Sequence, residues 1–153
     1  LTHAVELPGG FVVSDERSRL DLGFVHAALS GAPWMEERTR AQTERSWANC
    51  LPLGVYAPDG SPVGCGRLLT DRALRAHLGD VVIVPAFRGR GLGKALVEAA
   101  LSHPELATVT HWTLATMDAH GLYARYGFVS RQQEGWMTLM RHGRPLPSGA
   151  SGR

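Results

Sequence analysis

Val81-Val82-Ile83-Val84-Pro85-Ala86-Phe87-Arg88-Gly89-Arg90-Gly91-Leu92-Gly93-Lys94-Ala95-Leu96 is the stretch on which the reading of the chain turns. It opens with a β-branched run, passes through a loop of glycines and arginines, and enters a helical pattern. Apolar residues at Leu92, Ala95, Leu96, Ala99 and Ala100 recur at the spacing of one buried helix face. A strand therefore feeds a helix through a loop whose glycines let backbone N–H groups approach an anion. The helix dipole and the cations Arg88, Arg90 and Lys94 favour negative charge at the same place. A phosphate-bearing ligand is expected there.

Two common phosphate loops do not fit. A Walker A loop requires a glycine five positions before Gly93 and a hydroxyl after Lys94, where this chain has Arg88 and Ala95. The dinucleotide fingerprint Gly-x-Gly-x-x-Gly fails because Gly89, Gly91 and Gly93 are evenly spaced. What remains, Arg88-x-x-Gly91-x-Gly93 after Val-x-Val-Pro, resembles the acetyl-CoA pyrophosphate loop of the GNAT superfamily of acyl-CoA-dependent N-acyltransferases. About thirty residues on, Gly121-Leu122-Tyr123-Ala124-Arg125-Tyr126-Gly127-Phe128 resembles the Leu-Tyr-x-x-x-Gly-Phe signature of the same superfamily. Two motifs in the right order make coincidence improbable. The resemblance covers residues 51–128 well, and residues 1–50 only in their element order.

Length and composition set bounds. The 153 residues suffice for one domain with a full core, and 44% hydrophobic against 20% charged residues is a globular balance. A net charge of +2 is too small to argue for nucleic acid or a membrane surface. Cys50 and Cys65 follow no metal spacing and read as small buried side chains in a reducing compartment; no metal is expected. With no apolar run of transmembrane length and no signal-peptide pattern, a cytoplasmic protein is expected.

The chain then reads in order. Residues 1–10 offer little pattern and suggest a frayed lead-in, and residues 11–14 suggest a short strand. Leu22, Val25 and Leu29 suggest a helix capped by Asp21, and residues 39–49 a more polar helix carrying Trp47. Strands are expected over residues 51–57 and 62–70, joined through Pro58-Asp59-Gly60-Ser61, and over 74–84 after a bend at Asp71-Arg72. The central helix ends before Pro104. A strand over 111–116, a short helix over 119–126 closed by Gly127, and a hairpin of 128–129 with 136–140 complete a domain spanning 1–141. Residues 142–153, rich in Gly, Pro and Ser, suggest a disordered tail. The expected fold is α/β: a mixed, mostly antiparallel sheet of about six to seven strands with helices on both faces, as the resemblance also implies.

The resemblance implies an N-acetyltransferase that moves the acetyl group of acetyl-CoA directly to a primary amine. Such a reaction needs the amine deprotonated, the tetrahedral oxyanion stabilised and the departing thiolate protonated. By resemblance, main-chain groups of Val82, Ile83 and Val84 would pair with the pantetheine arm near a β-bulge. Arg88, Gly89, Arg90, Gly91, Leu92, Gly93 and Lys94 would hold the pyrophosphate. Thr116 stands where relatives commonly have an asparagine against the pantetheine, and a hydroxyl replaces only part of an amide's bonding. Tyr123 occupies the position of the general acid. For the base, Asp80, four residues before Val84, competes with His77 and His120. Asp118 reads rather as a helix cap.

The acceptor pocket is expected between the first two helices, where His26, Trp34, Met35, Glu36, Glu37 and Trp47 are available. A polyamine, an amino acid, an aryl amine, an antibiotic and a protein N-terminus all remain open. Two alternatives stand beside the small-amine enzyme: a non-catalytic acyl-CoA-binding regulatory module, and an acetyltransferase of protein or peptide amines. A homodimer through an exposed sheet edge is conceivable.

Overall fold

A computed structural model of the chain describes residues 2–32, 35, 37–131, 135 and 137–138. Ten regular elements follow one another: β1 (Ala4–Glu6), β2 (Val12–Ser14), α1 (Leu22–Leu29), α2 (Arg40–Ala48), β3 (Leu51–Tyr56), β4 (Pro62–Thr70), β5 (Arg75–Ile83), α3 (Leu92–Leu101), β6 (His111–Leu114) and α4 (His120–Ala124). The strands form a single six-stranded sheet in sequence order. Every neighbouring pair is antiparallel except β5 and β6, which run parallel across the α3 crossover. The expected fold class is thus borne out.

Local chemistry accounts for the boundaries. Asp21 caps α1 by accepting from the Phe24 N–H at 2.9 Å. Thr39 and Gln42 close a reciprocal capping box on α2. At the bend between β4 and β5 the Asp71 carboxylate accepts from the N–H groups of Ala73, Leu74 and Arg75. Those bonds hold its pKa down at about 2.

The sheet separates two apolar layers. On one face α3 buries Leu92, Leu96, Val97, Ala99 and Ala100 against Leu53, Val55, Leu68, Ala76 and Leu78. On the other, α1 and α2 bury Val25, Leu29 and Trp47 with Cys50 and Cys65. Gly66 lets α3 pack close against β4: a Cβ there would lie 2.9 Å from Leu96 Cδ2. Both cysteines are free and buried, and burial pushes their thiols up, to about 11 for Cys50 and about 12 for Cys65.

Three expectations change. The lead-in is ordered, because residues 4–6 pair with residues 12–14 as an edge strand. Asp118 does not cap α4: the Thr116 hydroxyl accepts from the Ala119 N–H at 3.0 Å instead. Phe128 and Val129 are not in a strand. The other half of that hairpin, residues 136–140, and the tail 142–153 lie outside the described residues, save 137 and 138, which are not in a strand.

Candidate active site

The parallel pairing of β5 with β6 stops at Leu78 and Leu114, but β5 runs on to Ile83. From Gly79 onward its second edge has no strand beside it among the described residues, so the sheet opens into a cleft. The chain leaving β6 turns into α4, which carries Tyr123. Tyr126, just past α4, donates its hydroxyl to Glu98 Oε1 of α3 at 2.8 Å and ties the two helices together.

A β-bulge marks the mouth of the cleft. Gly64 pairs with Ile83 and Cys65 with Val82, but Arg67 pairs with Gly79, so Asp80 and Val81 together oppose Gly66. Asp80 absorbs the extra residue in a left-handed conformation, φ +52°, uncommon for a residue with a Cβ. Past the bulge, the Val84 N–H donates to the Val63 carbonyl of β4 at 2.9 Å. Main-chain groups alternate in direction along a strand, so Val81 and Ile83 face the open edge. The main-chain groups of Val82 and Val84, expected to meet the pantetheine, face β4 instead, while the Ile83 carbonyl points to the open edge and accepts from Arg88 Nε.

β5 passes through a short turn (Pro85–Phe87) into the glycine loop and α3. Gly89 and Gly91 have φ of +78° and +76°, and Gly91 is the N-cap of α3. A Cβ at either would meet nothing within 4 Å, so backbone conformation, not space, calls for glycine. Arg88 Nε donates to the Ile83 carbonyl at 2.9 Å and folds the loop back on the strand. Arg90 lies over the Phe87 ring at 5.2 Å. Lys94, on the first turn of α3, is 3.9 Å from Glu98. Arg88, Arg90, Gly89, Gly91 and Lys94 are all exposed, Gly93 half-buried and Leu92 buried in the core. The loop thus gathers free N–H groups, a helix N-terminus and three cations at the end of the cleft.

Tyr123 is 9% exposed, packed edge-on against Phe128 at 5.9 Å. Burial, with Asp118 adding to it, raises the phenol above its usual range, so it is protonated at neutral pH. Its hydroxyl makes no hydrogen bond among the described residues. Thr116 is half-buried and engaged in starting α4, as above.

The candidate bases separate by environment. Asp80 is 8% exposed and accepts from Arg38 Nη1 at 2.7 Å, Arg38 Nη2 at 3.3 Å and Arg67 Nε at 2.7 Å. Burial by itself would raise its pKa, but the two guanidinium groups outweigh it and hold the carboxylate below its usual range. A carboxylate held so firmly in its charged form takes up protons poorly, which argues against Asp80 as the base. His120 is exposed at the first position of α4. His77 lies in β5 on the same sheet face as Arg67, half-buried, with Nδ1 2.8 Å from Thr113 Oγ1. Burial, with Arg67 adding to it, lowers its pKa, so the imidazole is neutral at pH 7.

The expected acceptor residues fare unevenly. Trp47 is fully buried in the α1–α2 layer, a correction forced by core packing; its indole N–H has no hydrogen-bond partner among the described residues. His26 binds Thr43 Oγ1 at 2.9 Å and joins α1 to α2. Trp34 and Glu36 lie outside the described residues, and Met35 is buried. Arg38 and Arg67, which frame the bulge, were missed. An arginine on a strand opposite a lone aspartate, two positions past Cys65, was the available signal. Among the described residues, no group of three or more His, Cys, Asp or Glu side chains could hold a metal ion, and no helix is long and apolar enough to cross a membrane.

Comparison with known proteins places these features in context. The profile described as "Acetyltransferase (GNAT) family" matches residues 22–128. Serotonin N-acetyltransferase 2 of rice is 31% identical over 124 residues; the match takes in 78% of this chain and 62% of that protein's length. A solved Xanthomonas campestris structure, described as belonging to the GNAT family, is 42% identical with a TM-score of 0.76, over 79% of this chain and 85% of the other. Rv2747 of Mycobacterium tuberculosis, solved in complex with CoA, has a TM-score of 0.66 at 21% identity, over 82% of this chain and 75% of that one, a likeness of fold.

Proposed function

Because the chain belongs to the acetyltransferase (GNAT) family, we propose that it transfers the acetyl group of acetyl-CoA directly to a primary amine of a small-molecule acceptor. The observation that carries this reading is the open edge of β5, which among the described residues has no strand partner from Gly79 to Ile83 and runs straight into the glycine–arginine loop at the start of α3. An extended pantetheine can add to that edge as a strand would, through the main-chain groups of Val81 and Ile83. Its diphosphate then meets the N–H groups of residues 89–94 and the cations Arg88 and Arg90. The CoA-bound Rv2747 structure supports this use of the shared fold.

The thioester end reaches the bulge, where two residues opposing one leave a main-chain donor without a ladder partner. Such a donor suits the oxyanion that forms as the amine attacks. The two proton-transfer groups lie on opposite faces of the sheet. Tyr123 belongs to the α3 layer, from which the coenzyme arrives. His77 shares the α1–α2 face with Arg67. In this scheme His77 takes one proton from the acceptor ammonium, nitrogen attacks the thioester carbon, and the C–S bond breaks as Tyr123 gives its proton to sulfur; the nitrogen then sheds its remaining excess proton, which restores the phenol through solvent, and His77 releases the proton it took to water. Asp80 positions the arginines around the bulge and stays charged throughout.

Two measurements test the scheme. Acetyl-CoA at a hundredfold excess over its Kd should stabilise the fold by about 2.7 kcal/mol, and ATP should do so far less. Thiol release from acetyl-CoA should then rise with at least one amine in a panel. Stabilisation without release for any amine would favour a regulatory acyl-CoA-binding module.

A further inference from the structure

Among the described residues, the hydrogen-bonded cluster around Asp80 sets two guanidinium groups on one carboxylate. One carboxylate, Asp80, faces two guanidinium groups, with side-chain exposures of 5% for Asp80, 20% for Arg38 and 13% for Arg67. Arg38 uses both Nη atoms on the carboxylate, but Arg67 uses only Nε. Among the described residues neither Nη of Arg67 has a hydrogen-bond partner. A guanidinium largely withdrawn from water with half its planar fork unfilled favours an anion that can fill it.

The position of Arg67 says what that anion could belong to. Arg67 pairs with Gly79, and the next same-face pair along β4 and β5 is Leu69 with His77. Glycine at 79 leaves the space beside Arg67 open, for a Cβ there would come no nearer than 3.7 Å to the His77 ring. Leu69, 45% exposed, extends an apolar surface alongside. Cation, neutral imidazole and apolar side chain therefore lie side by side next to the bulge.

We propose that the acceptor carries an anionic group, a carboxylate or a phosphate, bound by the free Nη atoms of Arg67, with its amine directed to His77. The inference deepens the acetyltransferase reading and rests on it. An uncharged aryl amine would leave the surplus positive charge uncompensated, and a polyamine would bring more beside it.

The test uses the full chain, fixed acetyl-CoA and matched amines: glutamine against glutaminamide, 5-hydroxytryptophan against serotonin, and glucosamine 6-phosphate against glucosamine. In at least one pair the anionic member should have kcat/KM higher by about tenfold or more, as a charged hydrogen bond would give. The first two pairs report a carboxylate and the third a phosphate. The preference should shrink with added salt in the unaltered protein, a readout independent of any variant. It should vanish in Arg67→Gln and survive in part in Arg67→Lys, with KM for acetyl-CoA unchanged. Neutral members equal to or better than their anionic partners in every pair would overturn the inference while leaving acetyl transfer intact. A preference that persists in folded Arg67→Gln would overturn the role of Arg67. No thiol release with any amine, despite acetyl-CoA binding, would remove the catalytic reading and this one with it.

Discussion

Tyr123 and His77 differ from most candidates in the protonation state their surroundings impose. Burial keeps the phenol protonated and the imidazole neutral at pH 7, the states a donor and an acceptor of protons need before reaction. Tyr123→Phe should therefore lower kcat by about 100-fold with KM for acetyl-CoA nearly unchanged, read from steady-state thiol release. An unaltered kcat would remove the phenol from the chemistry. His77 yields a signed pH prediction. Its folded pKa lies below the ordinary value near 6.5, so kcat/KM should fall only as pH drops below that value and be flat through neutrality. His77→Gln should abolish that acid limb; a limb retained in the variant would point to another base.

At the scale of elements, the α3 N-terminus and the β5 bulge are each set by one backbone dihedral. Gly91→Ala should cost about 1 kcal/mol of stability through its left-handed φ alone, since no atom crowds the site. The same change should weaken acetyl-CoA binding by tilting the N–H groups of the loop, measurable by calorimetry. The loop and its helix were legible because glycine, arginine and apolar periodicity report local geometry. The bulge was expected only through the family likeness, and it stands at Asp80 and Val81, just before the residues to which pantetheine pairing was assigned. Nothing in a run of valines announces an extra residue; only the register with β4 reveals it. Asp80 looked like a base because sequence records that it is a carboxylate, and not that Arg38, 42 positions away, grips it.

Over the whole molecule, Asp80 links the sheet to the segment between α1 and α2 through Arg38, and so holds one layer against another. Its folded pKa is depressed, so its contribution to stability is complete above the unfolded value near 3.9 and disappears as pH falls through the lower folded value. Asp80→Asn should therefore cost about 3 kcal/mol at pH 7, by leaving two shielded guanidinium groups poorly paired, and should lessen the loss of stability below pH 4. Urea melts at pH 7 and pH 3.5 check both. The element order and the helices on both faces of a mostly antiparallel sheet were readable from alternation, turn chemistry and the family likeness, but the strand order and the pairing of residues 4–6 were not. Three residues carry too little pattern, and their partner strand supplies the order. The proposed acceptor side was least readable of all, because the segment between α1 and α2 that carries Arg38 meets β4 and β5 only in the folded chain.

The bulge also stores an extra residue without disturbing what lies on either side of it. Asp80 and Val81 share Gly66 as their partner, so deleting Asp80 would let β5 lie flush against β4, with Val81 opposite Gly66 and every other pair and face retained. Ile83 would keep its place opposite Gly64 and its carbonyl would still receive Arg88 Nε. A one-residue deletion at this point should thus leave the sheet in register while removing the local widening and the carboxylate that Arg38 and Arg67 share, so the cleft mouth would be lost from an otherwise regular strand.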